Sequence, residues 1–362
     1  EKEKIQGFHQ SGRNSGVLHC GLSYTPGSLK AELSVKGIRE MIDFANQNKI
    51  DHDICGKVVV ATNEKEVLEL EKLAEKGRKN GLKGLSYLSK DELKRREPNV
   101  AAKKALLVPE EGIIDYKAVM SSLVNLIKQN NGEVVLNFEV NKITEYKNKI
   151  QIQGNNDYEF DKLIACGGLW SDKLFSKSTL EKSPLKIIPF RGEYLKFKQE
   201  FNEVINHLVY PVPDSNFPFL GVHFTRMIDG SKEVGPNAVL ALKRDGYSNT
   251  SFSLNDAVNS LSYPGLLRFI SKNFAFSINE FKSSFFKSSF IAKAQKMIPE
   301  VNSKMLERGT AGIRAQAVSI NGDLLMDFNI EKKGNQIHLL NAPSPGATSA
   351  LAIASHIIDN YF

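Results

Sequence analysis

The sequence predicts an α/β (α+β) fold, in which a discontinuous α/β domain carries an inserted domain built on an antiparallel sheet. Three observations predict it. Helix and strand patterns alternate through the first half of the chain. Short strands separated by Pro, Gly and Asn turns fill residues 187–242. The α/β character then returns from Gly312 to the end. At 362 residues the chain also exceeds the length of about 250–300 at which single cores stop growing. Segments 1–50, 101–185 and 309–362 make the first domain; 51–100 and 186–308 make the inserted one.

The elements follow in order. Leu29, Leu33, Ile38, Met41, Ile42 and Ala45 recur at helical spacing and predict a helix over 28–49. Val58–Ala61 is a short apolar strand. Asn63 caps a helix running to about Lys79, with Glu64 and Glu66 in its first turn. Ser89 and Glu92 form a capping box before Pro98. Leu106–Val108 and Ile113–Ile114 are strands around the turn Pro109–Gly112. A helix starts at Asp115–Tyr116 and closes at Asn131–Gly132, followed by a strand at Val134–Leu136. Val140–Tyr146 and Lys149–Gln153 form a hairpin, and Phe160–Cys166 is a strand leading into Gly167–Gly168 and a helix over 170–175. In the inserted region Ile187–Ile188, Tyr194–Phe197, Val209–Tyr210, Phe219–Phe224 and Val239–Leu242 are strands, and 255–308 is mostly helical. Strands at Leu324–Phe328 and Ile337–Leu340 and a last helix, Ala347–Tyr361, complete the chain.

Composition narrows the function. Lys and Arg total 48 against 41 Asp and Glu, a net charge of +7. The densest basic stretches, 65–79 and 90–96, interleave acids at helical spacing, as a solvated helix face does. No nucleic-acid partner is expected, because basic residues do not cluster with aromatics. Cys20, Cys55 and Cys166 are scattered, which points to a reducing compartment. They form no C-x-x-C pair, and the seven His form no H-x-x-x-H pair, so no metal site is expected. Neither G-x-S-x-G nor a Walker pattern is present, and G-x-G-x-x-G is absent too.

Three stretches carry chemistry. His9–Gly27 is dense in small polar residues, among them Gln10, Ser11, Gly12, Asn14, Ser15 and Gly16. Such residues do not build a core; they form a plain polar turn or offer backbone N–H groups to a phosphate. Gly167–Gly168 after an apolar strand lets backbone approach a ligand. Gly346, Ala347, Thr348 and Ser349 open the last helix, whose N-terminus carries partial positive charge. Arg191, Arg226 and Arg314 sit among small or apolar residues, a setting for ion pairs or for bidentate carboxylate recognition.

At these residues the chain resembles a known family. HQSGRNSGVLHCGLSYTPGSLKA, PFRGEY, YPVPDSNFPFLGVHFTRMIDG, VGPNAVLALKRDGY, GIRAQAV and NAPSPGATSALAIASHI together resemble the L-2-hydroxyglutarate dehydrogenase/oxidase family of the D-amino-acid-oxidase-like FAD superfamily. The resemblance runs from residue 1 to 362. It implies a Rossmann-like FAD domain, and oxidation of a small dicarboxylate, L-2-hydroxyglutarate, to 2-oxoglutarate by hydride transfer to the flavin. Quinone or oxygen would take the electrons. Related flavoproteins acting on another 2-hydroxy acid, an amino acid or glycerol 3-phosphate share the scaffold and form the alternative.

The chain opens Glu1-Lys2-Glu3, where the family ends its second strand. The resemblance therefore implies that roughly 30 residues, the first β-strand and helix of the dinucleotide unit, precede it. An inactive fragment lacking the dinucleotide turn is a further alternative. Glu1 would serve the adenosine ribose, residues 9–19 the pyrophosphate and flavin, Val140 the adenine, and Cys166–Gly168 the ribose side. Gly346–Ser349 would face the flavin pyrimidine edge. His19 is expected as the base that takes the hydroxyl proton, with His223 second. Arg191 and Arg314 are expected to hold the two carboxylates, with Tyr24 and Arg226 beside them. The location implied is cytoplasmic or peripheral at an inner membrane, mitochondrial if eukaryotic. Phe274, Phe276, Phe281, Phe285 and Phe286 would either pack in a core or face a membrane.

Overall fold

The computed structural model describes residues 1–213, 221–248, 250–273 and 287–362. Phe219 and Leu220, at the start of one expected strand, and the five phenylalanines between 274 and 286 lie outside the described residues.

Among the described residues the largest sheet has nine strands. Its long members are Lys186–Phe197 and Leu306–Val318, paired antiparallel along their whole length. The Ile187–Ile188 and Tyr194–Phe197 strands expected separately are therefore one strand. The sheet continues through Lys232–Gly235, His223–Arg226 and Leu208–Pro211. Leu208–Pro211 then pairs in parallel with Lys57–Ala61, which pairs antiparallel with Lys104–Val108. Lys57–Ala61 is buried at every position, as the apolar run Val58–Ala61 favours, with Lys57 buried in an ion pair. Lys104–Val108 and most of Leu306–Val318, assigned by pattern to the first domain, thus belong to the large sheet.

Three small sheets stand beside it. Leu163–Ala165 pairs in parallel with Gln336–Asn341, which carries Asn329–Lys333 on its other edge. Lys142–Tyr146, Lys149–Gln153 and Asp157–Phe160 form a meander. Val17–Leu18 and His52–Asp53 flank Gly112–Ile114.

The helices Leu29–Gln47 and Glu64–Lys79 begin at side-chain caps, of which local chemistry predicts Asn63. Ser28 accepts from the Ala31 N–H and Asn63 from the Glu66 N–H. Ser89 and Glu92 close a complete capping box. Leu29–Gln47 packs on the last helix, Ala350–Tyr361, through a core that includes Leu33, Ile353 and Ile357.

Some local expectations lose to tertiary pairing. Val134–Leu136 forms no strand, because its surroundings pair with the chain start instead. The Asn137 and Phe138 N–H groups donate to the Glu3 and Glu1 carbonyls, and the Glu1 amine donates to the Val135 carbonyl. Val140 precedes its hairpin rather than joining it. Phe160–Cys166 splits at Asp161–Lys162, and its halves enter different sheets. Leu324–Phe328 makes a single bridge, Leu324 with Val318, and the strand follows at Asn329–Lys333. Among the described residues no helix is long and apolar enough to cross a membrane.

Candidate active site

A cavity of about 1600 Å³ runs between the small parallel sheet, the last helix and the large sheet. One wall is the polar opening stretch: Gln10, Ser11, Asn14 and Ser15 line it, while Gly12 and Gly16 do not. Cys166, Gly168 and Leu339–Asn341 form a second wall, and Gly346, Ala347 and Thr348 a third. Ser349 lies just behind, fully buried, its hydroxyl without a hydrogen-bond partner among the described residues. Gly167 lies outside the lining, as do Glu1 and Val140; Glu1 is exposed.

The turn before the last helix is latched to the opening strand. Thr348 Oγ1 is 2.7 Å from the Tyr116 hydroxyl and accepts from the His19 N–H at 3.3 Å. Tyr116 also donates to the Val17 carbonyl. The same opening stretch presses on the large sheet at Gly312, where a Cβ would stand 2.4 Å from the Arg13 carbonyl oxygen. Only glycine permits that approach.

At the large-sheet end, His19, Lys57, Glu111, Tyr194, Tyr210, His223 and Arg314 all line the cavity. Backbone register brings the first and third together. Val17 pairs with Ile113 and Leu18 with Gly112, so the next pair outward is His19 against Glu111. His19 Nδ1 lies 3.3 Å from Glu111 Oε2. Glu111 Oε1 is 2.7 Å from Lys57 Nζ and accepts from the Cys20 N–H and thiol. Glu111 is 1% exposed. Burial alone would push its carboxyl up; Lys57 and His19 outweigh that and hold it well below the usual range.

His223 stacks on Tyr210 with ring centroids 4.0 Å apart, and Tyr210 meets His19 edge-on. His223 Nδ1 donates to the Gly221 carbonyl at 2.9 Å, which leaves the lone pair on Nε2. Burial, aided by the charges of His19, Arg314 and Lys57, pushes its imidazolium down to about 3 against the Gly221 bond. His223 is therefore a neutral imidazole at physiological pH.

The arginines separate by the pleat of one strand pair. Arg314 pairs across from Phe190, and Arg191 from Ile313. Opposed residues share a face and neighbours alternate, so the two guanidinium groups leave the sheet on opposite sides. Arg314 lines the cavity and donates to the Asn237 carbonyl. Arg191 is outside the lining, 6% exposed, paired with Glu193 and donating to the Ser248 carbonyl at 2.8 Å. Arg226 pairs with Asp53, also outside it. Tyr24 is at the cavity edge, its hydroxyl near the Ser344 carbonyl and its ring 4.3 Å from Lys30 Nζ. Burial moves Lys30 down to about 8, against the pull of Asp327. Sequence patterns missed Lys57, Glu111, Tyr194 and Tyr210. Among the described residues no cluster of His, Cys, Asp and Glu could hold a metal ion.

The cavity fits FAD on three counts. Its volume exceeds the roughly 300–1,000 Å³ of ordinary small-molecule pockets, as a dinucleotide beside a substrate requires. Small polar residues and a helix N-terminus line its length. The close contact at Gly312 fixes the wall that carries Ser11–Ser15.

Residues 1–360 match the family model described as "FAD dependent oxidoreductase". L-2-hydroxyglutarate dehydrogenase of Escherichia coli (strain K12) is 43% identical over 360 residues, covering 99% of this chain and 85% of the relative. The mitochondrial L-2-hydroxyglutarate dehydrogenase of Homo sapiens is 39% identical over 377 residues, with 99% and 81% covered. Among solved structures, FAD-bound L-alpha-glycerophosphate oxidase of Mycoplasma pneumoniae superposes with a TM-score of 0.77 at 23% identity, covering 99% of this chain and 86% of that one. Glycine oxidase of Geobacillus kaustophilus gives 0.71 at 14% identity, covering 100% and 88%. These likenesses carry the fold; the family model and the two dehydrogenases carry the assignment, and the chain belongs to the FAD dependent oxidoreductases.

Proposed function

We propose that the protein oxidises L-2-hydroxyglutarate to 2-oxoglutarate, with quinone or oxygen as the final electron acceptor. The observation that carries this reading is the meeting of His19, His223 and Arg314 at one end of the cavity. Among the described residues Arg13, Lys30, Lys57, Lys76, Lys272 and Arg314 line that cavity against Glu111, Asp323 and Asp327. Six cations against three carboxylates favour an anionic ligand. The dehydrogenases at 43% and 39% identity supply the substrate's name.

Ser11, Asn14, Ser15, Gly168 and Gly346–Thr348 would hold FAD. FAD supplies the hydride acceptor for C2 of the substrate. Arg314 binds one substrate carboxylate by paired N–H donors, and Lys30 with Tyr24 receives the other. His19 takes the hydroxyl proton on Nε2. His223, neutral and held by Gly221, keeps its Nε2 lone pair for acceptance and is the second candidate for that same proton. The Thr348–Tyr116 latch ties the His19 backbone to the last helix, so base and cofactor wall move together.

Anaerobic mixing of the FAD-loaded protein with L-2-hydroxyglutarate should bleach the flavin and release 2-oxoglutarate, while the D-isomer, L-amino acids and glycerol 3-phosphate should not. Bleaching by one of those and not by L-2-hydroxyglutarate overturns the reading. Flotation with anionic liposomes tests peripheral membrane contact.

A further inference from the structure

We propose that Glu111 is the positioning residue for His19, and that Lys57 keeps Glu111 in the ionised state that this role needs. The inference deepens the proposed reaction and rests on His19 as its base.

Glu111 divides its two oxygens. Oε1 faces Lys57 Nζ, the Cys20 N–H and the Cys20 thiol; Oε2 faces His19 Nδ1. Lys57 therefore supports the negative charge without competing for the oxygen that meets the imidazole. Accepting from Nδ1–H fixes the His19 tautomer, with the lone pair on Nε2. When the substrate O–H bond breaks and an Nε2–H bond forms, Nδ1–H stays in place. The charge of Lys57, Glu111 and His19 together goes from zero to +1. The carboxylate stabilises the new imidazolium and takes no proton.

Burial favours a functional over a stabilising use of this pair. Glu111 is 1% exposed and Lys57 6%. A buried ion pair is weak evidence for stability, because desolvation offsets its attraction. Here the pair lines a cavity and is aimed at a titratable side chain. Lys57, His19, Cys20, Tyr24 and Tyr210 face Glu111, with Glu110 next in the chain; Tyr210 and His223 also face His19.

The experiment uses the FAD-loaded full chain and L-2-hydroxyglutarate in anaerobic stopped flow. Glu111→Gln keeps the shape and removes the charge. FAD content and the dissociation constant of 2-oxoglutarate should stay within about threefold, while flavin reduction slows about 10²–10⁴-fold, the span of general-base catalysis. Glu111→Asp should recover part of the rate. Reduction by Glu111→Gln within about threefold of wild type overturns the proposal. If Glu111→Gln fails to retain FAD, Lys57→Met decides: without its ammonium the Glu111–His19 pair holds a proton more tightly, so the acid limb of the rate profile should rise by about one pH unit or more. An unmoved limb overturns the role of Lys57. A wild-type flavin that L-2-hydroxyglutarate does not bleach overturns the reaction instead, which separates the two failures.

Discussion

His223 makes stability depend on pH between about 3 and 6.5. Its native imidazolium is pushed down to about 3, against roughly 6.5 in an unfolded chain. A depressed folded value means the unfolded chain binds more protons between the two, so stability is full above pH 6.5 and is lost as pH falls towards 3. At pH 5.0 the unfolded histidine is one and a half units below its own value, which at 1.36 kcal/mol per unit costs about 2 kcal/mol. Glu111 has the same sign, but its loss begins only near the ordinary carboxyl value and is small at pH 5.0. At the usual unfolding entropy per residue, a chain of 362 residues should lose about 3 °C in Tm from this histidine between pH 7.5 and 5.0. His223→Asn keeps a donor for the Gly221 carbonyl and does not titrate. Thermal melts at both pH values, with FAD in excess so that ligand linkage is constant, should show a pH shift smaller in the variant by that amount. Equal shifts in the two proteins would refute the buried, neutral state of His223.

Other expectations test the rest of the site. Arg314→Met should raise KM for L-2-hydroxyglutarate about 10- to 100-fold through loss of a charged hydrogen bond, and steady-state kinetics with an unaltered KM would remove Arg314 from substrate binding. Arg191→Met should instead leave KM unchanged and lower stability by about 1–3 kcal/mol in urea titration, because Glu193 and the Ser248 carbonyl lose a buried partner. Gly312→Ala places a methyl 2.4 Å from the Arg13 carbonyl oxygen, so the purified variant should retain less FAD per chain; an unchanged flavin-to-protein ratio would show that this wall gives way.

Short-range chemistry made part of this molecule legible. The caps at Asn63 and Ser89 depend on residues within a few positions of one another, and they stand where the pattern put them, whereas the last helix, expected from Ala347, begins at Ala350. The long strand Lys186–Phe197 was harder to read, because Pro189 and Gly192 punctuate it. Continuous pairing with Leu306–Val318 overrides those breakers, and no local window contains that partner. Val134–Leu136 fails the other way: its apolar residues suit a strand, but the backbone beside them is bound to Glu1 and Glu3.

The residues hardest to read are those whose role turns on a single position of register. Glu110 and Glu111 are chemically identical neighbours in one turn. Glu110 reaches outward to Arg39 and to the Lys83 N–H. Glu111, one residue on, stands opposite His19 and is buried against Lys57. Composition and propensity are the same for both; only the pairing of Leu18 with Gly112 separates them. Arg191 and Arg314 differ for the same reason, since their strands are aligned so that the pleat turns one into the cavity and the other into an ion pair. A period-2 structure thus converts a one-residue offset into an exchange of roles, and any rule that scores residue type without strand partner must treat both members of each pair alike. Register also explains why no local pattern points to Glu111: His19 lies within a distinctive phrase, whereas Glu111 meets it from a turn 92 positions away.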